Sequence, residues 1–245
     1  MINKITLKNS AKIIDNDYVI KKKQKDLDDT YKYLLSRSFD YFPVIIKEDN
    51  DSIYYEYIYD ISEPREQKMI DLVVLVSLLH SKTTFYKEID IDYYKEIYEK
   101  INNEIDNTYN YYNHLMDNID IEIYMSPANY LIARNISIIY SSLNYAKENI
   151  DRWYKLIENK RKIRLTTIHN NLSLDHYLKN DKPYLISWDK SKIDTPILDL
   201  ISLYRHHYLE FDFITVMRQY LSKYPLSNEE MLLFLVMISI PSKIE

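Results

Sequence analysis

This chain contains no glycine in 245 residues. Average usage is about 7%, so the absence restricts which folds the sequence can adopt. Every residue carries a Cβ, which makes a positive φ sterically costly at every position. Turns that need that conformation are expected to fall to Asn or Asp. No loop can bring bare backbone against a ligand, so a glycine-rich phosphate cradle is excluded. Abundant Ile, Lys, Asn, Asp and Tyr beside scarce Ala and Arg points to an AT-rich coding genome, which gives the bias a nucleotide-level origin as well. The same bias supplies 26 tyrosines.

The length allows a sizeable core in one domain or in two closely packed lobes. Hydrophobic content of 46% and charged content of 28% are those of a folded protein. A net charge of −5 argues against a nucleic-acid partner, whose phosphates would have to be neutralised. One compact basic run, Lys160, Arg161, Lys162 and Arg164, reads as a solvated strand edge. No apolar run reaches the roughly 20 residues that span a bilayer, and "MINKITLKNS" lacks a signal-peptide core, so a cytoplasmic location with no membrane partner is expected. Zero cysteines exclude disulfides and thiolate chemistry.

Along the chain, "KITLKN", "AKIID" and "DYVIKKK" read as short strands separated by Asn9-Ser10 and Asp15-Asn16-Asp17. Residues 26–38 carry Leu27, Tyr31, Leu34 and Leu35 at helical spacing. "FPVIIK" and "SIYYEYIYD" then predict two strands around an "EDND" turn, completing a small β-rich lobe over residues 1–60. From residue 61 to 245 the periodicity is helical. One helix presents Leu72, Leu75, Val76 and Leu79 on one face, and another is long and tyrosine-rich. Ser126-Pro127 opens a third, which runs to about Asn159, and further helices fall in 196–209, 212–223 and 227–238. The expected fold class is α+β: a small β-rich lobe, then a larger helical lobe interrupted by one short hairpin.

That interruption, "TTIHNNLSLDHYLKNDKPYLISWDKSKIDTPILDL" at 166–200, carries the chemistry. A histidine follows a β-branched run, then come a loop, a strand ending Ile-Ser-Trp-Asp, and Asp-x-Pro-x-x-Asp-Leu. The ordered set resembles the aminoglycoside phosphotransferase and choline kinase family, particularly its spore-coat kinase-like branch. That family has a two-lobed protein-kinase-like fold and a catalytic loop H-G-D-x-x-x-x-N, followed by I-D-W or I-D-F and D-x-x-x-D-L. His169 matches the loop histidine, Leu172 the apolar residue after the motif's Asp, Trp188 the aromatic, and Asp199-Leu200 the closing pair. "YYEYI" resembles the segment linking the lobes, and "LVSLLH", ending at His80, the helix after it. Lys21 in "YVIK" falls where the resemblance places a phosphate-pairing lysine, with Asp28 or Asp29 as its helix partner in place of the family's Glu. Framework roles are implied for Trp188, Asp194 and Asp199, the last accepting hydrogen bonds from the loop's N–H groups.

The departures bear on activity. Phosphoryl transfer needs an Asp that orients and accepts the hydroxyl proton, and an Asn and a second Asp that hold Mg²⁺ against the phosphates. Here the base position is Asn171, the Asn position is His176, and the metal Asp is Ser187. The resulting expectation is a catalytically inactive, pseudokinase-like protein that acts on a protein partner by binding or scaffolding, in spore-coat assembly if the branch resemblance holds. Two alternatives stay open. One is an active ATP- and Mg-dependent phosphotransferase whose metal site is rebuilt from Asp175, His176 and Asp189, the last sharing a strand face with Ser187. The other is a module that binds a small molecule in the cleft without turnover. Lys21 as a solvated strand-end lysine and the carboxylates as surface groups are the plainer readings. His206 and His207, adjacent on a helix, do not share a face and make a poor metal pair.

Overall fold

The computed structural model describes residues 5–8, 11–14 and 18–244. In chain order the elements are β1 (Ile5–Lys8), β2 (Ala11–Ile14), β3 (Tyr18–Lys22), α1 (Asp28–Ser36), β4 (Ile45–Glu48), β5 (Ser52–Glu56) and α2 (Arg65–Thr83). Next come β6 (Phe85–Glu88), α3 (Tyr93–Asp120), α4 (Pro127–Ile157), β7 (Lys162–Ile168), β8 (Tyr177–Lys179), β9 (Pro183–Leu185) and β10 (Lys192–Asp194). Three helices follow, α5 (Ile197–His207), α6 (Phe213–Lys223) and α7 (Asn228–Ser239). The architecture is α+β, as the sequence predicts. The turns at Asn9-Ser10 and Asp15-Asn16-Asp17 lie outside the described residues. By contacts the chain divides into two compact units, residues 1–85 with 165–225 and residues 86–164 with 226–245.

The first unit holds an antiparallel sheet of order β1-β2-β3-β5-β4. Its register pairs Lys21 with Ile53 and Val19 with Tyr55. Directly opposed residues share a face, so Lys21 stands on the buried face with Ile53 and Tyr55, and a one-residue slip would turn it outward. Helix α1 buries Tyr31 and Leu34, and Leu27 just before it is also buried, whereas Leu35 is 54% exposed. The apolar stripe is therefore narrower than its sequence pattern. The helix stops in a Schellman closure: Ser38 N donates to Leu35 O and Phe39 N to Leu34 O, both at 2.9 Å. Ser38 takes the left-handed position there with φ 58°. The other positive-φ residues among those described are Asn170 and Ser187, so serine takes two positions that turn chemistry assigns to Asn or Asp.

Helix α2 buries Leu72, Leu75, Val76 and Leu79, and also Met69, Val73, Ser77, His80 and Thr83. Helix α6 packs against it, with Tyr220 and Tyr224 edge-on to His80. The segment after β5 is tied to the hairpin β8–β9. Ile61 N donates to Lys179 O, Lys179 N donates to Asp60 Oδ1, and the Lys179 ammonium bonds Glu63 and Asp71. Leu185 N donates to Tyr41 O at 2.8 Å, anchoring the loop after α1 to β9.

The second unit is built on α3, α4 and α7. Its core joins Tyr94, Ile101 and Ile105 of α3 to Leu143, Ala146, Ile150, Trp153 and Ile157 of α4, and to Val236 of α7. Ser126 caps α4 by accepting from Asn129 N at 3.1 Å, with Pro127 at the first helical position. Ser227 and Glu230 form a reciprocal capping box at the start of α7.

Candidate functional site

The site lies wholly within the first unit and grows from the end of β7. Thr166, Thr167 and Ile168 are buried, and β10 pairs antiparallel beside them through Ile193–Thr167 and Asp194–Thr166. The chain then turns sharply at Asn170, whose φ is 58°. Asp199, in the first turn of α5 and fully buried, holds that turn. Its Oδ2 accepts from His169 N at 2.8 Å and its Oδ1 from Asn170 N at 2.7 Å. His80 Nε2 lies 3.2 Å from the same Oδ2, and His80 Nδ1 lies 2.7 Å from the Tyr220 hydroxyl. A carboxylate only accepts, so Nε2 carries a proton and donates to it, while Nδ1 and the Tyr220 hydroxyl share a hydrogen bond. The result is a buried relay from α6 through α2 to α5 and the loop.

His169 is fully buried, and its Nε2 donates to Ile186 O at 2.9 Å. That bond leaves Nδ1 as the unprotonated nitrogen, buried without a hydrogen-bond partner among the described residues. Desolvation pulls the imidazole down to about 4, so the ring is neutral at physiological pH. Trp188 stands edge-on at 5.0 Å between centroids, and its Nε1 donates to Leu185 O at 2.8 Å. Around Trp188 sit Tyr31, Phe39 and Phe42, the first and last stacked on each other at 4.2 Å. An aromatic cluster thus fixes the position of the segment that carries Ser187 and Asp189.

The strand leading to that segment ends earlier than its sequence suggests. β9 stops at Leu185, Ser187 is left-handed with φ 68°, and residues 188–190 form a short 3-10 turn. Strand alternation therefore does not apply to Ser187 and Asp189. Both still reach Lys21: its ammonium donates to Ser187 Oγ at 2.7 Å and lies 3.8 Å from Asp189 Oδ2. The Lys21 side chain is only 18% exposed, which corrects the reading of a solvated strand end. Burial lowers its pKa, and the Asp189 charge opposes that only in part. Asp28 and Asp29 are exposed, and Asp28 pairs along its own helix with Lys32 at 3.5 Å. The carboxylate beside Lys21 is Asp189, not a helix residue.

Asn171 contributes its backbone to the site, its carbonyl accepting from His176 Nδ1 at 2.6 Å. Burial lowers the pKa of His176, with the bond to that carbonyl opposing. The His169 and His176 rings lie 6.0 Å apart. Asp175 is exposed, and among the described residues no three His, Asp or Glu side chains converge as a metal-holding group. Asp194 accepts from Thr195 N at 2.8 Å and pairs with Lys192, a local role in the turn before α5. His207 is buried, and its Nε2 accepts from Leu174 N at 3.4 Å, while His206 is exposed. Sequence reasoning missed two contributors. Lys25 donates to Ser191 O at 2.7 Å, and Tyr220 was one of many tyrosines with no local signal to single it out.

No protein-family model matches this sequence, and no curated protein matches it. Solved structures do. An aminoglycoside phosphotransferase from Alicyclobacillus acidocaldarius superposes with TM-score 0.72 at 8% identity, covering 97% of this chain and 79% of its own. An AMP-bound spectinomycin phosphotransferase gives TM-score 0.57 at 12% identity, over 94% of this chain and 79% of that one. A choline/ethanolamine kinase family protein from Mesorhizobium loti gives 0.50 at 11%, over 96% and 75%. At these identities the likeness is one of fold.

Proposed function

Starting from the kinase-like fold this chain shares with aminoglycoside phosphotransferases and choline/ethanolamine kinases, we propose that it is a pseudokinase, which acts by binding a protein partner and not by transferring phosphate. The observation that carries this reading is what stands opposite Lys21: a serine hydroxyl, at the position where the resemblance expects a metal-binding carboxylate. An ammonium that would face phosphate oxygens in a working site is here bonded to Ser187 Oγ at 2.7 Å, with Asp189 at 3.8 Å. The cation is answered from within the chain. Asn171 and Ser187 stand where the resemblance expects the base and a metal-binding carboxylate. An amide does not accept a proton as a carboxylate does, and general base action is worth about 10²–10⁴ in rate. A serine hydroxyl brings no negative charge to a hard cation, forgoing charge stabilisation of several kcal/mol. Meanwhile Asp199, His169 and Trp188 keep the loop in shape through buried hydrogen bonds, which suits a cleft retained for its form.

Thermal-shift titration with ATP, with and without Mg²⁺, tests the reading. The native chain is expected to show no magnesium-dependent rise in Tm, and the double variant Asn171→Asp, Ser187→Asp is expected to gain one. A native chain that is stabilised only by ATP and Mg²⁺ together, and that consumes ATP in a way Asp189→Ala abolishes, would instead be a phosphotransferase with a rebuilt metal site.

A further inference from the structure

Helix α4 turns one face to the core of its unit and leaves a long apolar stripe open on its flank. Leu131 is 57% exposed, Ile138 66% and Tyr145 42%, at intervals of seven residues. Seven residues make nearly two full turns, so the three side chains form one apolar ridge. A second line of residues runs beside the ridge. Tyr130, Arg134, Ser141, Glu148 and Arg152 are all exposed and stand 11 before, 7 before, at, 7 after and 11 after Ser141. Both intervals are close to whole numbers of turns, so these five residues share one line along the helix. No hydrogen bond or ion pair within the chain engages Arg134 or Glu148 among the described residues.

This pattern is complementary to itself under a two-fold rotation. Two copies crossing antiparallel at Ser141 bring Arg134 of each copy to the height of Glu148 on the other, about 10.5 Å either side of the axis. The same crossing sets Arg152 opposite Tyr130, a cation over an aromatic face. Between 130 and 152 it opposes no like charges. The small Ser141 lets the helices approach at the axis, and because the rotation keeps both ridges on one side, Ile138 of each copy meets Tyr145 of the other. We infer that the exposed face of α4 is an isologous dimer interface, and that its occupant is a second copy of this chain.

The test uses the full-length chain and reads mass by sedimentation across a dilution series. The native protein is expected to reach twice its monomer mass. Arg134→Glu and Glu148→Arg each place like charges opposite one another twice, and each alone is expected to remain monomeric with unchanged helical circular dichroism. Mixed in equal amounts, the two variants restore both oppositely charged pairs and are expected to return to the doubled mass. Ile138→Asp is expected to abolish association without rescue by either variant. A native chain that stays monomeric at every concentration, a dimer indifferent to the charge reversals, or two monomeric variants that fail to associate on mixing would each overturn the inference.

Discussion

Asp199 is buried among donors: two backbone N–H groups of the loop and one imidazole N–H all point at its two oxygens. Removing the carboxylate strands all three donors without water, and a buried donor left unsatisfied costs more than a surface hydrogen bond is worth. Asp199→Ala is expected to lower unfolding free energy by about 3 kcal/mol in urea titration. Tyr220→Phe removes the hydroxyl at the end of the relay, takes that partner from His80 Nδ1, and is expected to cost about 1–2 kcal/mol. A smaller effect for Asp199→Ala than for Tyr220→Phe would mean that the relay does not terminate at the carboxylate. His169 and Asp199 could be picked out in the sequence because they belong to an ordered motif. His80 and Tyr220 were hidden as a pair, since they are 140 residues apart and only tertiary packing brings them together.

At the level of elements, most helices were legible because their ends carry local chemistry. Ser126-Pro127 opens α4, and the three predicted C-terminal helices correspond to α5, α6 and α7. Sequence reading failed where backbone conformation ran against residue type. Nothing in "LISWD" announces that the strand ends before Ser187, because serine is an uncommon choice for a left-handed φ. The same conflict at the end of α1 is testable. Ser38 occupies the left-handed position of a Schellman closure whose two hydrogen bonds are both in place, and glycine has no Cβ to strain there. Ser38→Gly is expected to stabilise the protein by about 0.5–1 kcal/mol, seen as a higher Tm, despite the greater freedom glycine gives the unfolded chain. A lower Tm would mean that the Ser38 side chain contributes more than its backbone geometry costs.

Across the whole molecule, the tyrosines divide between buried and exposed positions, and burial leaves a pH signature. Desolvation raises Tyr55, Tyr94 and Tyr184 to about 12, and Tyr31 and Tyr177 higher still. These phenols keep their protons in the fold, whereas the unfolded chain releases them near pH 10. Above that pH the unfolded state binds fewer protons, so stability that is complete below about pH 10 falls as pH rises toward 12. Phenolate absorbance should therefore rise in two stages, exposed rings first and the buried set together with loss of helical signal. A single stage near pH 10 with the fold intact would contradict the burial. The fold class was legible because periodicity and order constrain architecture. The pairing of Lys21 with Ser187 and Asp189 was not, because it depends on strand register and on a turn with no sequence signature.

The chain has two tryptophans, and each unit holds one: Trp188 in the aromatic cluster of the first, Trp153 in the helical core of the second. Both indoles are shielded from water, so exposure on unfolding will red-shift their emission. Replacing either one with phenylalanine leaves a single tryptophan, excitable at wavelengths the 26 tyrosines do not absorb, and the melting of each half can then be followed by its own light.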